Sequence, residues 1–173
     1  VDSVSNIVLV GPMGAGKSTV GRLLASRLGF SFVDTDSVIE DRTGADIPWI
    51  FDVEGEEGFR ARETAVLRDL LMDGSPMVIA TGGGIVTRPE NIPLLRKLGR
   101  VVFLKASLEQ LCSRTSKDKK RPLLQVKDPR AKIIELLQVR TPLYEQVADL
   151  SVVTDIRGAK NVVQQICLHL ELS

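Results

Sequence analysis

Cysteine is scarce in this chain of 173 residues: Cys112 and Cys167 are the only two. They match no C-x-x-C spacing and fall in stretches of helical pattern, which argues against a disulfide framework and predicts two free thiols, packed as small hydrophobes, in a reducing compartment. Histidine occurs once, as His169. It lies near the chain end, away from every motif described below, so a surface or packing position is expected rather than a chemical role. A dominant charge sign is also missing. Lys plus Arg number 23 against 22 Asp plus Glu, a net charge of +1, and this leaves no electrostatic footprint for nucleic acid or an anionic membrane. Any anion bound here must be held by local geometry. The longest apolar runs, such as Ile7 to Val10 and Val101 to Leu104, fall far short of the roughly 18 residues a membrane span requires. Position 1 is Val, with no basic segment and no apolar leader behind it, so a trimmed or processed chain is expected in the cytoplasm. The plastid stroma remains open if a transit peptide has been removed.

What the chain does have is 43% hydrophobic residues, enough for a core that buries roughly 70% of the unfolded surface without staples. No repeat, low-complexity run or Gly/Ser linker interrupts it, so residues 1–173 are read as one domain. Short β-branched runs alternate with longer amphipathic stretches, the pattern of βα units around a parallel sheet. Five strands are expected at Ile7 to Val10, Ser31 to Asp34, Val78 to Ala80, Val101 to Leu104 and Ser151 to Thr154. A stripe of Val20, Leu23, Leu24 and Leu28 predicts the first helix, closed by Gly29. A second stripe, Val66, Leu67, Leu70 and Leu71, closes at Asp73-Gly74. Later helices are expected over Leu94 to Leu98, Leu108 to Arg114, Ile133 to Val139 and Val162 to Leu170.

The segment Gly11-Pro-Met-Gly14-Ala15-Gly16-Lys17-Ser18-Thr19 follows the first strand and opens the first helix, which is the context that G-x-x-x-x-G-K-[ST] demands. Its glycines let backbone N–H groups turn inward around a phosphate, and the helix start adds unsatisfied donors. Lys17 can reach the β and γ phosphates, and the Ser18 hydroxyl can ligate Mg²⁺. A guanine site would need N-K-x-D, which is absent. D-x-x-G occurs twice, at Asp52 to Gly55 and at Asp155 to Gly158, and so proves little. A motor ATPase would end an apolar strand in an acid, whereas Val78-Ile79-Ala80 runs into Thr81-Gly82-Gly83-Gly84, so the metal carboxylate must come from elsewhere.

Phe32-Val33-Asp34-Thr35-Asp36 supplies it, with two carboxylates at i and i+2 on one side of a strand end. Asp34 can hold a Mg²⁺-bound water, and Asp36 can orient or deprotonate a substrate hydroxyl. Alternatively Asp36 only caps the helix that begins at Ser37. Ser116 to Pro122 is almost wholly polar with four cations, a solvated basic loop by composition. Trp49, among Ile47, Ile50 and Phe51, is expected to pack inward.

Taken together, the phosphate loop, Asp34-x-Asp36, Gly55-Glu-x-x-Phe-Arg60, Gly82-Gly83-Gly84, Arg121-Pro122-Leu123 and Arg140-x-Pro142-x-Tyr144 resemble the shikimate kinase family over essentially the whole chain. The resemblance implies an α/β, three-layer P-loop kinase fold with five parallel strands in order 2-3-1-4-5 and helices on both faces. It implies transfer of the γ-phosphate of ATP to the 3-hydroxyl of shikimate with Mg²⁺, by a monomer with no nucleic-acid or membrane partner. Arg60 and Arg140, solvated helix charges by composition alone, become the carboxylate clamp of a segment spanning about residues 36–63, and Glu63 either steadies Arg60 or forms an exposed pair with it. Gly82, Gly83 and Gly84 offer N–H groups to substrate oxygens. Residues 116–126 become a lid delivering Arg121 to the γ-phosphate, so that Lys17, Asp36 and Arg121 form the catalytic set. Arg114 and Arg157 flank the adenine, beside the nucleotide-binding run Gly14, Ala15, Gly16, Lys17, Ser18 and Thr19. Ser18 and Asp34 hold the metal. Ala80 departs from the family, some members of which have a hydroxyl there, and a water-mediated metal contact goes with it. A gluconate-type kinase and a catalytically silent relative are the alternatives.

Overall fold

The computed structural model describes residues 5–116, 122–154 and 157–172. Five strands, β1 (Asn6–Val10), β2 (Ser31–Asp34), β3 (Met77–Ala80), β4 (Gly99–Lys105) and β5 (Leu150–Val153), pair in parallel in the order 2-3-1-4-5. Around them lie α1 (Lys17–Leu28), α2 (Thr35–Thr43), α3 (Ile47–Leu71), α4 (Asn91–Leu98), α5 (Leu108–Thr115), α6 (Pro129–Val147) and α7 (Ala159–His169).

Side-chain alternation along the central strands sorts the core into two layers. Ile7 and Leu9 of β1 join Val102 and Leu104 of β4 against Leu24 of α1, Leu111 of α5 and Ile166 of α7. Val8 and Val10, with Ile79 and Phe103, pack on the other face against Leu67 of α3, Leu95 of α4 and Tyr144 of α6. Each such Leu or Ile contributes about 1.5–3 kcal/mol by leaving water, and burial on both faces is why these strands read as unbroken apolar runs. A third, smaller cluster of Ile39, Ile47, Ile50, Phe59 and Val66 supports the segment built from α2 and the first part of α3.

Several local expectations need correction. Asp34, not Asp36, caps α2, its Oδ1 accepting from the N–H groups of Asp36 at 3.0 Å and Ser37 at 3.3 Å. Because β2 passes into α2 with no loop, Asp36 is already helical, and the strand-side argument for pairing the two acids does not apply. Leu23 is 37% exposed and stands outside the α1 stripe, whereas Gly29 closes that helix in the left-handed region at φ 71° as expected. Trp49 is 57% exposed, since Ile47 and Ile50 take the inward positions of its turn. α6 runs on through Pro142 to Val147, well past the expected stop at Val139. α3 is broken at Gly55, whose φ of 73° and ψ of 177° no β-carbon-bearing residue adopts easily. Cys167 is buried and Cys112 half-buried, and His169 is exposed. Among the described residues no helix is long and apolar enough to cross a membrane.

Candidate active site

The carboxyl ends of the strands open into one cleft, where an open parallel sheet places its ligands. The turn after β1 forms one end. Gly16 enters α1 in the left-handed region at φ 92°, which turns the loop's N–H groups toward a compartment of about 190 Å³ lined by Gly14, Gly16, Lys17, Ser18, Thr19 and Arg114. Lys17 is nearly buried, and its ammonium rests against the loop, donating to the carbonyls of Gly11 at 2.7 Å and Pro12 at 2.9 Å. Arg114 reaches over from α5 to the Gly14 carbonyl at 2.9 Å. It also borders a neighbouring compartment lined by Ala15, Thr19, Thr154 and Gly158. Arg157 lies exposed on the loop after β5, next to that lining Gly158. Of the expected lid, residues 117–121, including Arg121, lie outside the described residues, while Pro122 and Leu123 line the cleft.

Ser18 and Asp34 meet side by side, the hydroxyl donating to Asp34 Oδ2 at 2.8 Å. One hydroxyl and one carboxylate beside a phosphate loop suit Mg²⁺, which keeps most of its waters and takes the rest of its ligands from phosphate oxygens. Thr81, in the same compartment, spends its hydroxyl on the Leu9 carbonyl at 2.9 Å.

The other end is a pocket of about 180 Å³ lined by Asp34, Asp36, Phe51, Phe59, Arg60, Glu63, Gly82 to Gly84 and Arg140. Asp34, Asp36, Gly82 and Gly83 line both this pocket and the phosphate compartment, so the two communicate at the carboxylates. Arg60 and Arg140, 80 positions apart in the chain, are only 5% and 4% exposed. The reading of solvated helix charges is therefore set aside. Arg60 donates to Glu63 Oε1 at 2.6 Å and to Glu56 Oε1 at 3.2 Å. Burial draws its pKa down, but Glu63 and Glu56 outweigh that and hold it above its ordinary value. Burial pulls the pKa of Arg140 below the usual guanidinium value, with repulsion from Arg60 adding to it and the pull of Tyr144 and Glu56 too weak to restore it.

Glu63 is fully buried, so an exposed pair with Arg60 is also excluded. Desolvation pushes its pKa up to about 7 against the attraction of Arg60, with Asp36 adding repulsion. Its Oε2 makes no hydrogen bond. Gly82 explains why a side chain is not tolerated between these acids: a β-carbon there would stand 2.7 Å from Glu63 Oε2 and 2.9 Å from Asp36 Oδ1. At Gly84 it would overlap the Arg60 guanidinium at 2.3 Å. The Gly82 N–H donates to Thr35 Oγ1 at 3.2 Å, while Gly83 and Gly84 line the pocket beside it.

Two supports of this pocket were not predicted from the sequence. Asn91, fully buried, accepts from Thr64 at 2.8 Å and donates to the Ile85 carbonyl at 2.9 Å, tying α3 and α4 to the turn after the triplet. Tyr144, named only as part of a motif, donates its hydroxyl to the Gly83 carbonyl. Neither Thr64, the buried partner of Asn91, nor Gly83, that of Tyr144, is close to it in sequence, so only the fold could reveal either.

Comparison with known proteins bears on the family and the fold. A family model described as shikimate kinase matches residues 13–171. A shikimate kinase of Vibrio parahaemolyticus is 57% identical over 166 residues, covering 96% of each chain. The solved structure of a shikimate kinase from Acinetobacter baumannii in complex with shikimate is 49% identical with a TM-score of 0.94, covering 98% of this chain and 95% of its own. One from Aquifex aeolicus is 37% identical with a TM-score of 0.83, covering 96% of each.

Proposed function

Since this chain belongs to the shikimate kinase family, we infer that it is a phosphotransferase moving the γ-phosphate of ATP to the 3-hydroxyl of shikimate, giving shikimate 3-phosphate and ADP. The observation that carries the reading is the shared wall of Asp34, Asp36, Gly82 and Gly83 between a phosphate loop and a pocket with two buried arginines. A small ring bearing a carboxylate fits the second compartment with that carboxylate toward Arg60 and Arg140, where charge-assisted hydrogen bonds form out of water. Its hydroxyls then face the opposite wall and Asp36.

Phosphoryl transfer asks the protein mainly to position the groups and neutralise spreading charge. Gly14 to Thr19 hold the phosphates through backbone donors, and Lys17 exchanges the carbonyls of Gly11 and Pro12 for the β and γ phosphates. Asp36 orients the attacking hydroxyl and accepts its proton. Ser18 and Asp34 would hold Mg²⁺, whose positive charge would offset that of the phosphates. Arg114 and Arg157 take the adenine end, and Arg121 the transferring phosphoryl, in this proposal on the family resemblance. An ATP-consumption assay with shikimate and gluconate in parallel tests the function. ADP formation dependent on shikimate is expected. A higher rate with gluconate, or none with either, overturns it.

A further inference from the structure

Tyr144 borders a small cavity beside the pocket together with Met13 and Arg140, and the chemistry above leaves it without a task. It lies one helical turn after Arg140 on α6, is fully buried, and stacks at 5.0 Å between ring centroids on Phe103 of β4. Its hydroxyl donates to the Gly83 carbonyl, and the phenol lies near enough to the Arg140 guanidinium for each to bias the other's ionisation. A buried phenol packed this tightly is an unusual way to satisfy one loop carbonyl unless the carbonyl's direction matters.

The direction does matter because of what lies across the peptide bond. In a trans peptide the carbonyl and the next N–H point to opposite sides. Holding the Gly83 oxygen toward α6 therefore sends the Gly84 N–H away from α6, and Gly84 lines the pocket. Glycine on both sides of this peptide means that no β-carbon resists its rotation. The neighbouring contacts, Gly82 N–H to Thr35, Ile85 N–H to the Gly82 carbonyl and Thr87 N–H to the Gly84 carbonyl, fix the turn on either side of the peptide without touching it. Among the described residues, Tyr144 is what holds it.

We propose that Tyr144 is a positioning residue whose single hydroxyl locks the Gly83–Gly84 peptide, N–H toward the pocket, and seats the Arg140 guanidinium, so that two donors for the substrate are aligned together. The proposal rests on the pocket being the shikimate site and deepens that reading. Burial pushes the phenol pKa up to about 12, so the hydroxyl remains a donor throughout the neutral range.

The test is Tyr144→Phe, which removes one oxygen and keeps the ring. Losing the lock should raise the shikimate KM about tenfold, the scale of one buried hydrogen bond left unmade, while the ATP KM stays within about twofold and kcat falls less than the shikimate KM rises. In the ligand-free protein the Gly84 amide, one sharp ¹H–¹⁵N resonance in the wild type, should broaden or double in the variant as the peptide samples both orientations. Phe103→Leu loosens the packing of the same ring and keeps the hydroxyl. It should lower Tm and leave the shikimate KM within about twofold. An unmoved shikimate KM or an unmoved Gly84 resonance in Tyr144→Phe, or an equal KM rise in Phe103→Leu, overturns the proposal and leaves Tyr144 a packing residue. Absence of shikimate-dependent turnover in the wild type would instead reject the functional reading, and the amide resonance would still decide the lock.

Discussion

The two ends of the cleft manage charge in opposite ways. At the phosphate loop the donors are backbone N–H groups and one lysine, the ammonium of which is satisfied by carbonyls of its own loop. The loop itself is contiguous in sequence, Arg114 reaches over to it from α5, and it borders open compartments. At the other end two arginines and a glutamate are buried almost completely, contributed by α3 and α6, and each was taken out of water at a cost that only partners or a bound anion can offset. A loop that wraps phosphates with backbone donors buries only one charge of its own, that of Lys17. A pocket that must recognise one small carboxylate gains selectivity from desolvated cations, since a neutral competitor leaves them uncompensated.

The sharpest way to probe the boundary between the two ends is Asp36→Asn, which keeps the size of the group that borders both compartments. Turnover with shikimate should fall at least about a hundredfold, as for loss of a general base, with the fold intact by circular dichroism. Wild-type kcat would remove Asp36 from the chemistry. Next in size, Arg60→Ala and Arg140→Ala should each weaken shikimate binding at least tenfold, from about 2–5 kcal/mol per buried charged contact, with ATP affinity nearly unchanged in titration calorimetry. If both ligands weaken equally, the ends are not separate in the way described.

The smallest effect concerns Glu63. Its folded pKa of about 7 stands above the ordinary 4.5, so the folded state binds the extra proton, and stability present at acid pH is lost as pH rises through about 7. The wild type should therefore lose denaturant resistance between about pH 5 and pH 8, and Glu63→Gln should flatten that decline. Parallel pH profiles in the two proteins would show that Glu63 ionises normally.

The sequence was most informative where function is local. Residues 11–19 carry their whole geometry in consecutive glycines, a lysine and a hydroxyl, and the strand order followed once the family was recognised. Arg60 and Arg140 could be assigned only by resemblance, because solvation is the default for an arginine on a helix and burial depends on contacts between distant segments. Asp34 and Asp36 do line the cleft together, yet not by the strand geometry expected, which the immediate start of α2 replaces. Trp49 misled through its apolar neighbours, since they fill the inward face and leave it exposed. Glu63 and Tyr144 depend on a distance across the fold, to Gly82 and Gly83, that no local pattern encodes.

The division between the ends is tested most directly by a cycle that deletes the same interaction from both sides. Shikimate and its carboxamide, which keeps the shape and loses the charge, are compared as substrates of the wild type and of Arg140→Ala by kcat/KM. The account predicts a loss of at least about tenfold for the carboxamide in the wild type, and a smaller loss for it in the variant, where Arg60 alone still faces the carboxylate. Fully additive losses would mean that Arg140 and the substrate carboxylate do not meet, and would contradict the clamp.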